Sequence, residues 1–146
     1  MKIKIVKLDE RAVVPNAGTG HSAGYDLCAC MKEERTVVAP HTTKLIGTGL
    51  AAAIPEGYFG GIFARSGLSL KQGLRPANCV GVIDPDYRGE ICVSLHNDSG
   101  TERIIEQGER IAQLLILPCV KAEFEECGSL DMTGRGDGGF GHTGLY

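Results

Sequence analysis

The strongest constraint on this chain is its punctuation, because short β-type runs are broken every few residues by glycine or proline. Residues 2–7 (KIKIVK) alternate polar and apolar, residues 36–38 and 43–46 flank Pro40, and Tyr58 to Ala64 is an apolar run spaced by glycine. Glu90 to Leu95 alternates with Ile91, Val93 and Leu95 on one face. Ile111 to Leu117 is almost continuously apolar, the pattern of a strand buried on both faces. Turn-forming clusters recur between the runs, at Pro15-Asn16, Pro55-Glu56-Gly57, Asp84-Pro85-Asp86, Asn97-Asp98-Ser99-Gly100 and Gln107-Gly108. No stretch keeps a helical period beyond about two turns, and Ser66 to Gln72 is the one short helix expected. Many short strands at regular spacing predict an all-β sandwich, barrel or jelly roll.

Composition bounds what that fold can do. A chain of 146 residues fits one compact domain. Hydrophobic residues reach 42%, but only 5% are aromatic and Trp is absent, so small aliphatic side chains must fill the core. The net charge of −3 argues against sequence-independent nucleic-acid binding, which wants a basic surface. Any phosphate site must therefore be local. Six cysteines lack a Cys-x-x-Cys pair and several lie in apolar runs, as at Ile91-Cys92-Val93, so they read as reduced, small hydrophobes. The N-terminal MKIKIVKLDE carries no signal-type apolar region and no run approaches membrane length, so the expected protein is soluble and cytoplasmic, or nuclear in a eukaryotic or viral setting. The Asn97-Asp98-Ser99 sequon is then a chance match.

Three familiar patterns fail on context. Gly47-Thr-Gly49-Leu-Ala-Ala52 imitates a dinucleotide fingerprint, but Pro55 leaves no helix to receive a pyrophosphate. Arg135-Gly136-Asp137 in an intracellular chain is a coincidental tripeptide, and no P-loop exists.

Four other stretches hold chemistry worth weighing. Ala23-Gly24-Tyr25-Asp26-Leu27 sets one acid among apolar neighbours; a turn carboxylate is its bland reading and a metal-site residue its functional one. Ala64-Arg65-Ser66-Gly67-Leu68-Ser69 puts an Arg and a hydroxyl where a strand meets a turn. There, Arg65 in a surface ion pair with Ser66 as helix N-cap competes with a phosphate site made by Arg65, Ser66 and nearby amides. Gly81 to Glu90 is an acidic turn between apolar strands, either an ordinary hairpin loop or the rigid seat of a general base with Tyr87 as a wall. The tail from Gly134 to Gly144 carries Phe140 in a glycine chain, which a linker would not need. A lid would use it, with amides around phosphates, Arg135 adding charge and Phe140 stacking on a base.

Together and in order, these motifs resemble the trimeric deoxyuridine 5'-triphosphate nucleotidohydrolase (dUTPase) family across essentially the whole chain. The five ordered motifs are AGYDL (23–27), ARSGLS (64–69), NCVGVIDPDYRGEI (78–91), GERIAQLLI (108–116) and RGDGGFGHTG (135–144). Two departures stand out: Ala64 where many members have Pro, and His142 where many have Ser, which leaves the phosphate contact there open.

The resemblance implies a jelly-roll-like β-barrel assembled as a homotrimer, with a C-terminal arm exchanged between subunits by the strand after Pro118 or the tail beyond it. Residues 1–128 would form the catalytic barrel and 129–146 a glycine-rich flexible lid. The implied reaction is hydrolysis of dUTP to dUMP and pyrophosphate, which limits uracil incorporation into DNA and supplies dUMP for dTMP synthesis. It implies Asp84 as the base that activates water, and Mg2+ held by triphosphate oxygens and waters with Asp26 reached through water. Arg65, Ser66, Gly67 and Gln113 would contact phosphates and water, while Arg135 and Thr143 close over the β- and γ-phosphates beside Gly139, Phe140 and Gly141. The hairpin from Asn78 to Tyr87, through Gly81, Val82 and Ile83, would read uracil by its backbone, with Tyr87 excluding a 2′-hydroxyl. The competing readings are a dCTP deaminase, which shares the fold, and a trimeric nucleotide-binding module without catalysis.

Overall fold

The computed structural model describes residues 1–139, which form twelve strands and one helix. In chain order the strands are β1 (Lys4–Lys7), β2 (Asn16–Ala17), β3 (Tyr25–Cys28), β4 (Arg35–Val38), β5 (Thr43–Gly47), β6 (Leu50–Ala53) and β7 (Tyr58–Phe63). Helix α1 (Ser66–Gln72) follows, then β8 (Leu74–Pro76), β9 (Gly81–Ile83), β10 (Cys92–Asn97), β11 (Arg103–Glu106) and β12 (Arg110–Pro118). All the strand pairings are antiparallel. The largest sheet has the order β2-β3-β12-β7-β9, a three-stranded sheet runs β5-β10-β8, and β1-β6 and β4-β11 form two ribbons. Neighbours in space are mostly distant in sequence, as the expected all-β jelly-roll-like architecture requires.

The sheets close on one core of small aliphatic residues, among them Leu27, Val38, Ile46, Leu74, Ile91, Leu95, Ile105 and Ile111. Fully burying each such Leu or Ile contributes about 2 kcal/mol. Along β10 the inward set is Val93, Leu95 and Asn97, while Cys92, Ser94 and His96 stay half-buried, which is the period of two read from the sequence. Strand β7 crosses the core at Gly60, where a Cβ would lie 3.1 Å from Leu114 Cδ1 and 3.2 Å from Ile83 Cβ. Glycine there lets β7 sit close under its neighbours.

Strand β12 lies between β3 and β7 and supplies the centre of the largest sheet. Its pairing with β3 shifts between Arg110 and Ala112: Arg110 stands opposite Cys28 and Ala112 opposite Leu27, leaving Ile111 as an extra residue. This bulge explains why Ile111 and Ala112, although adjacent, are both buried. Helix α1 has the expected span, but Ser66 is its first residue rather than its cap. Arg65 occupies the N-cap position in extended backbone (φ −84°, ψ 128°) and no side chain bonds there, so the N-cap reading of Ser66 is corrected. Gly73 ends the helix at φ 67°, its N–H reaching the carbonyls of Leu68 and Ser69.

The alternation in VKAEFEE predicts a strand beyond Pro118, and here the fold departs from the pattern. Residues 119–139 form no strand, and Val120 and Phe124 are 90% and 95% exposed. The segment is tethered at its start by Cys119 N–H to Gly57 O (2.8 Å) and by an exposed Lys121–Glu56 pair. Alternation licenses a strand only where it pairs with an edge, and among the described residues this segment pairs with none of its own chain's edges.

Candidate active site

Asp26 is the centre of a charged cluster that three strands build. On β3 it faces Gln113 of β12 across the ladder, and Gln113 in turn faces Phe63 at the end of β7. The Gln113 amide donates to the carbonyl of Ala64 at 2.9 Å, fixing the chain where it leaves β7 for α1. Arg65 follows at once, and its Nε donates to Asp26 Oδ1 at 2.9 Å. The second carboxylate oxygen is taken by Arg110, whose Nη1 lies 3.1 Å from Asp26 Oδ2. Arg65 also donates through Nη1 to the main-chain carbonyl of Arg110, at 3.1 Å. Two guanidinium groups thus share one carboxylate, leaving an uncompensated positive charge in a partly desolvated wall where it acts strongly on an anion.

That wall faces a cleft of about 770 Å³, whose lining includes Asp26, Arg65, Ser66, Gly67, Arg110 and Gln113, together with Gly24, Phe63, Cys79 and Leu115. The first N–H groups of α1 have no partner within the helix and open at the same place. Beneath the cluster, burial and then the Asp26 charge push the Cys28 thiol upward, so it stays protonated and inert. Among the described residues no three acidic, His or Cys side chains gather as a metal cage.

The expected hairpin is corrected: β9 pairs with β7 and β10 with β5 and β8, so residues 84–91 link two sheets instead of joining paired strands. Strand β9 is the edge of the large sheet, bonded to β7 through Gly81, Val82 and Ile83 and open on its other side. Gly81 and Ile83 are buried and Val82 exposed, so a ligand on the open edge would meet mainly backbone. Asp84 follows, exposed, with its carbonyl accepting the Tyr87 N–H at 3.2 Å. The Tyr87 hydroxyl donates to Glu90 O at 2.9 Å, laying the ring along this link. The ring needs Gly89, where a Cβ would fall 2.4 Å from that hydroxyl. Asn78 is exposed and its carbonyl accepts the Val80 N–H, while Cys79 takes the left-handed conformation at φ 61°.

Of this stretch only Cys79 lines the cleft; Asn78, Gly81, Val82, Ile83, Asp84 and Tyr87 do not. In the tail, Arg135 is exposed and donates to Gly138 O at 2.7 Å, and neither Arg135 nor Gly139 lines the cleft. Phe140, Gly141, His142 and Thr143 lie outside the described residues. Arg110 is the site residue that sequence reasoning left without a role. A lone Arg opening an otherwise apolar strand was its only visible signal.

The profile of the dUTPase family matches residues 10–144. The chain belongs to the dUTPase family. A deoxyuridine 5'-triphosphate nucleotidohydrolase of Hydrogenobaculum sp. is 48% identical over 145 residues, covering 99% of each chain. One from Syntrophotalea carbinolica is 44% identical over 143 residues, covering 98% of this chain and 97% of that one. Among solved structures, the dUTPase of Staphylococcus bacteriophage 80alpha with dUpNHpp superposes with a TM-score of 0.89 at 29% identity, covering 99% of both chains. In dUTPase terms, the first, second and fourth motifs of this chain converge on the cleft, and the third projects from another edge of the same sheet.

Proposed function

We propose that the protein hydrolyses dUTP to dUMP and pyrophosphate, and that the cleft beside Asp26, Arg65 and Gln113 receives the triphosphate. The observation that carries this reading is the convergence of Arg65, Ser66, Gly67 and Gln113 on one positive cleft in a dUTPase chain. Water attacks the α-phosphorus, Asp84 takes its proton, and the bond to the bridging oxygen breaks so that pyrophosphate leaves. An aspartate is a weak base near neutral pH, so positioning and charge stabilisation must supply much of the rate. The open edge of β9 presents peptide donors and acceptors to uracil, and Tyr87 closes the space a 2′-hydroxyl would need.

The cleft suits magnesium held by substrate. A single carboxylate at its wall, with no all-protein cage among the described residues, matches an ion that keeps part of its hydration shell, with Asp26 reached through water. Bound there, the ion would neutralise charge on the triphosphate. Arg135, Gly139, Phe140, Gly141 and Thr143, in the segment 129–146, are assigned to a lid over phosphates and base.

The same reading makes the enzyme a homotrimer with shared sites. Asp84 does not line the cleft of its own chain, which supports a base from one subunit serving the phosphate cleft of another. The exchanged arm is residues 119–128, whose exposed Val120 and Phe124 match an apolar groove of about 460 Å³ beside β1, lined by Ile3, Ile5, Tyr58, Leu114 and Ile116. Among the described residues strand β1 pairs with β6 alone, and its other edge could receive a guest strand. Assaying the purified protein with dUTP, dCTP and dTTP tests the reading. Pyrophosphate and dUMP from dUTP alone are expected; ammonia released from dCTP would replace it with deamination, and nucleotide binding without products would leave a non-catalytic module.

A further inference from the structure

The ion-pair cluster at the cleft raises a problem of charge that the proposed reaction must solve. The pair with Asp26 uses Arg65 Nε alone and leaves other donors free, but a triphosphate that draws the whole guanidinium to itself would part it from Asp26. Without another counter-ion, the departure would leave a bare carboxylate facing a triphosphate, and like charges at close range oppose binding. Arg110 already occupies the other carboxylate oxygen, by a different guanidinium nitrogen and from a different strand.

Its presence there depends on the bulge in β12. In a regular strand Arg110 and Gln113, three residues apart, would point to opposite faces. The extra residue Ile111 reverses that parity, so Arg110 stands opposite Cys28 while Gln113 stands opposite Asp26, two residues away on β3 and hence on the same face. The irregularity turns an arginine toward the cleft that a regular ladder would turn away. Exposure divides the two cations further: the side chain of Arg65 is 26% exposed and that of Arg110 is 57% exposed. Arg110 therefore sits at the rim and Arg65 deeper in the same cleft wall.

We infer that Arg110 is a positioning residue which retains Asp26 while Arg65 passes from Asp26 to the triphosphate. This inference rests on the reading in which Arg65 meets phosphate. Arg110 then acts through Asp26 and its loss should weaken nucleotide binding more than turnover. Conversely, once Asp26 carries no charge, Arg110 should have little left to do.

A double-mutant cycle on the full-length protein tests this, with Kd for dUpNHpp measured by calorimetry alongside KM and kcat for dUTP. Arg110→Gln is expected to raise Kd and KM by about tenfold with kcat changed less than about threefold, an effect typical of one coupled charge. Arg110→Lys keeps a charge without the planar fork and should fall between the two. In an Asp26→Asn background, either substitution should change Kd by less than about twofold. An equal loss in both backgrounds would mean that Arg110 binds phosphate directly and would overturn the inference. A fall in melting temperature with KM unchanged would reduce Arg110 to a structural role and overturn it as well. If Arg110→Gln does not assemble, Arg110→Lys carries the same cycle, and an unchanged Kd in the wild-type background would count against the proposal. Failure of the wild-type protein itself to bind dUpNHpp would instead overturn the assignment of the cleft.

Discussion

Gly24 shows how little space the cleft leaves behind its polar groups. A Cβ at that position would lie 2.4 Å from Gln113 Oε1 and 3.2 Å from Leu115 Cδ1. Oε1 is the far end of a flexible side chain, so an added methyl would displace the amide rather than unfold β3. The displaced amide would then lose its bond to Ala64 O, and the segment holding Arg65 would lose its fixed point. Gly24→Ala is therefore expected to raise KM for dUTP several-fold, about 1 kcal/mol in binding, which is the worth of one such hydrogen bond. The melting temperature should move by only a few degrees, about what 1 kcal/mol gives a domain of this size. An unchanged KM would show that the Gln113 bond does not position Arg65. Asp26 and Arg65 were singled out in the sequence beside a bland reading of each, and Gln113 entered only through the family resemblance. Arg110 stood in a quoted motif yet had no role, because its direction depends on a bulge that no residue pattern announces.

At the level of elements, the runs that alternate or stay apolar were the most legible. KIKIVK contains β1, the alternation from Glu90 predicts β10, and Ile111 to Leu117 lies within β12. Two-residue β2 left no periodic signal, and the alternation after Pro118 marked a strand that pairs with no edge among the described residues. The apparent sequon at Asn97 turns out to be a structural device. Its buried side chain donates to Val38 O (3.0 Å) and Thr101 O (2.8 Å), while its oxygen accepts the Ser99 N–H (2.9 Å) and hydroxyl (2.7 Å). One amide thereby ties the end of β10 to β4 and to the following turn. Asn97→Ala would strand several of these groups away from water, at about 1–3 kcal/mol for a group left unsatisfied. Urea unfolding should show a stability loss of about 3 kcal/mol with an unchanged slope. A loss under about 0.5 kcal/mol, ordinary for a surface substitution, would mean that the turn closes without it.

The proposed trimer would bring together what one chain keeps apart. Asp84 projects beyond the β9 edge, the phosphate cleft opens beside β3 and α1, and the segment after Pro118 runs exposed with Val120 and Phe124 uncovered. A trimer with shared sites accounts for all three, and subunit mixing can test it. Asp84→Asn keeps shape without basicity and should lower kcat by about 10²–10⁴-fold, the usual loss on removing a general base. A chain truncated after Leu130 should retain the barrel but lose the assigned lid, and with it most activity. Each variant alone would then be nearly inactive. When the two are unfolded and refolded together, some mixed trimers should hold a site with an intact Asp84 from one chain and an intact tail from another. Hydrolysis of dUTP should reappear in that sample, and stay absent when separately folded trimers are merely combined. Arg65, Arg110 and Gln113 are intact in both variants, so only base and lid are being sorted. Mixed trimers seen by mass spectrometry without recovered hydrolysis would mean that base and lid come from a single chain. The tail would then have to reach its own Asp84, and the exposed arm after Pro118 would need another explanation.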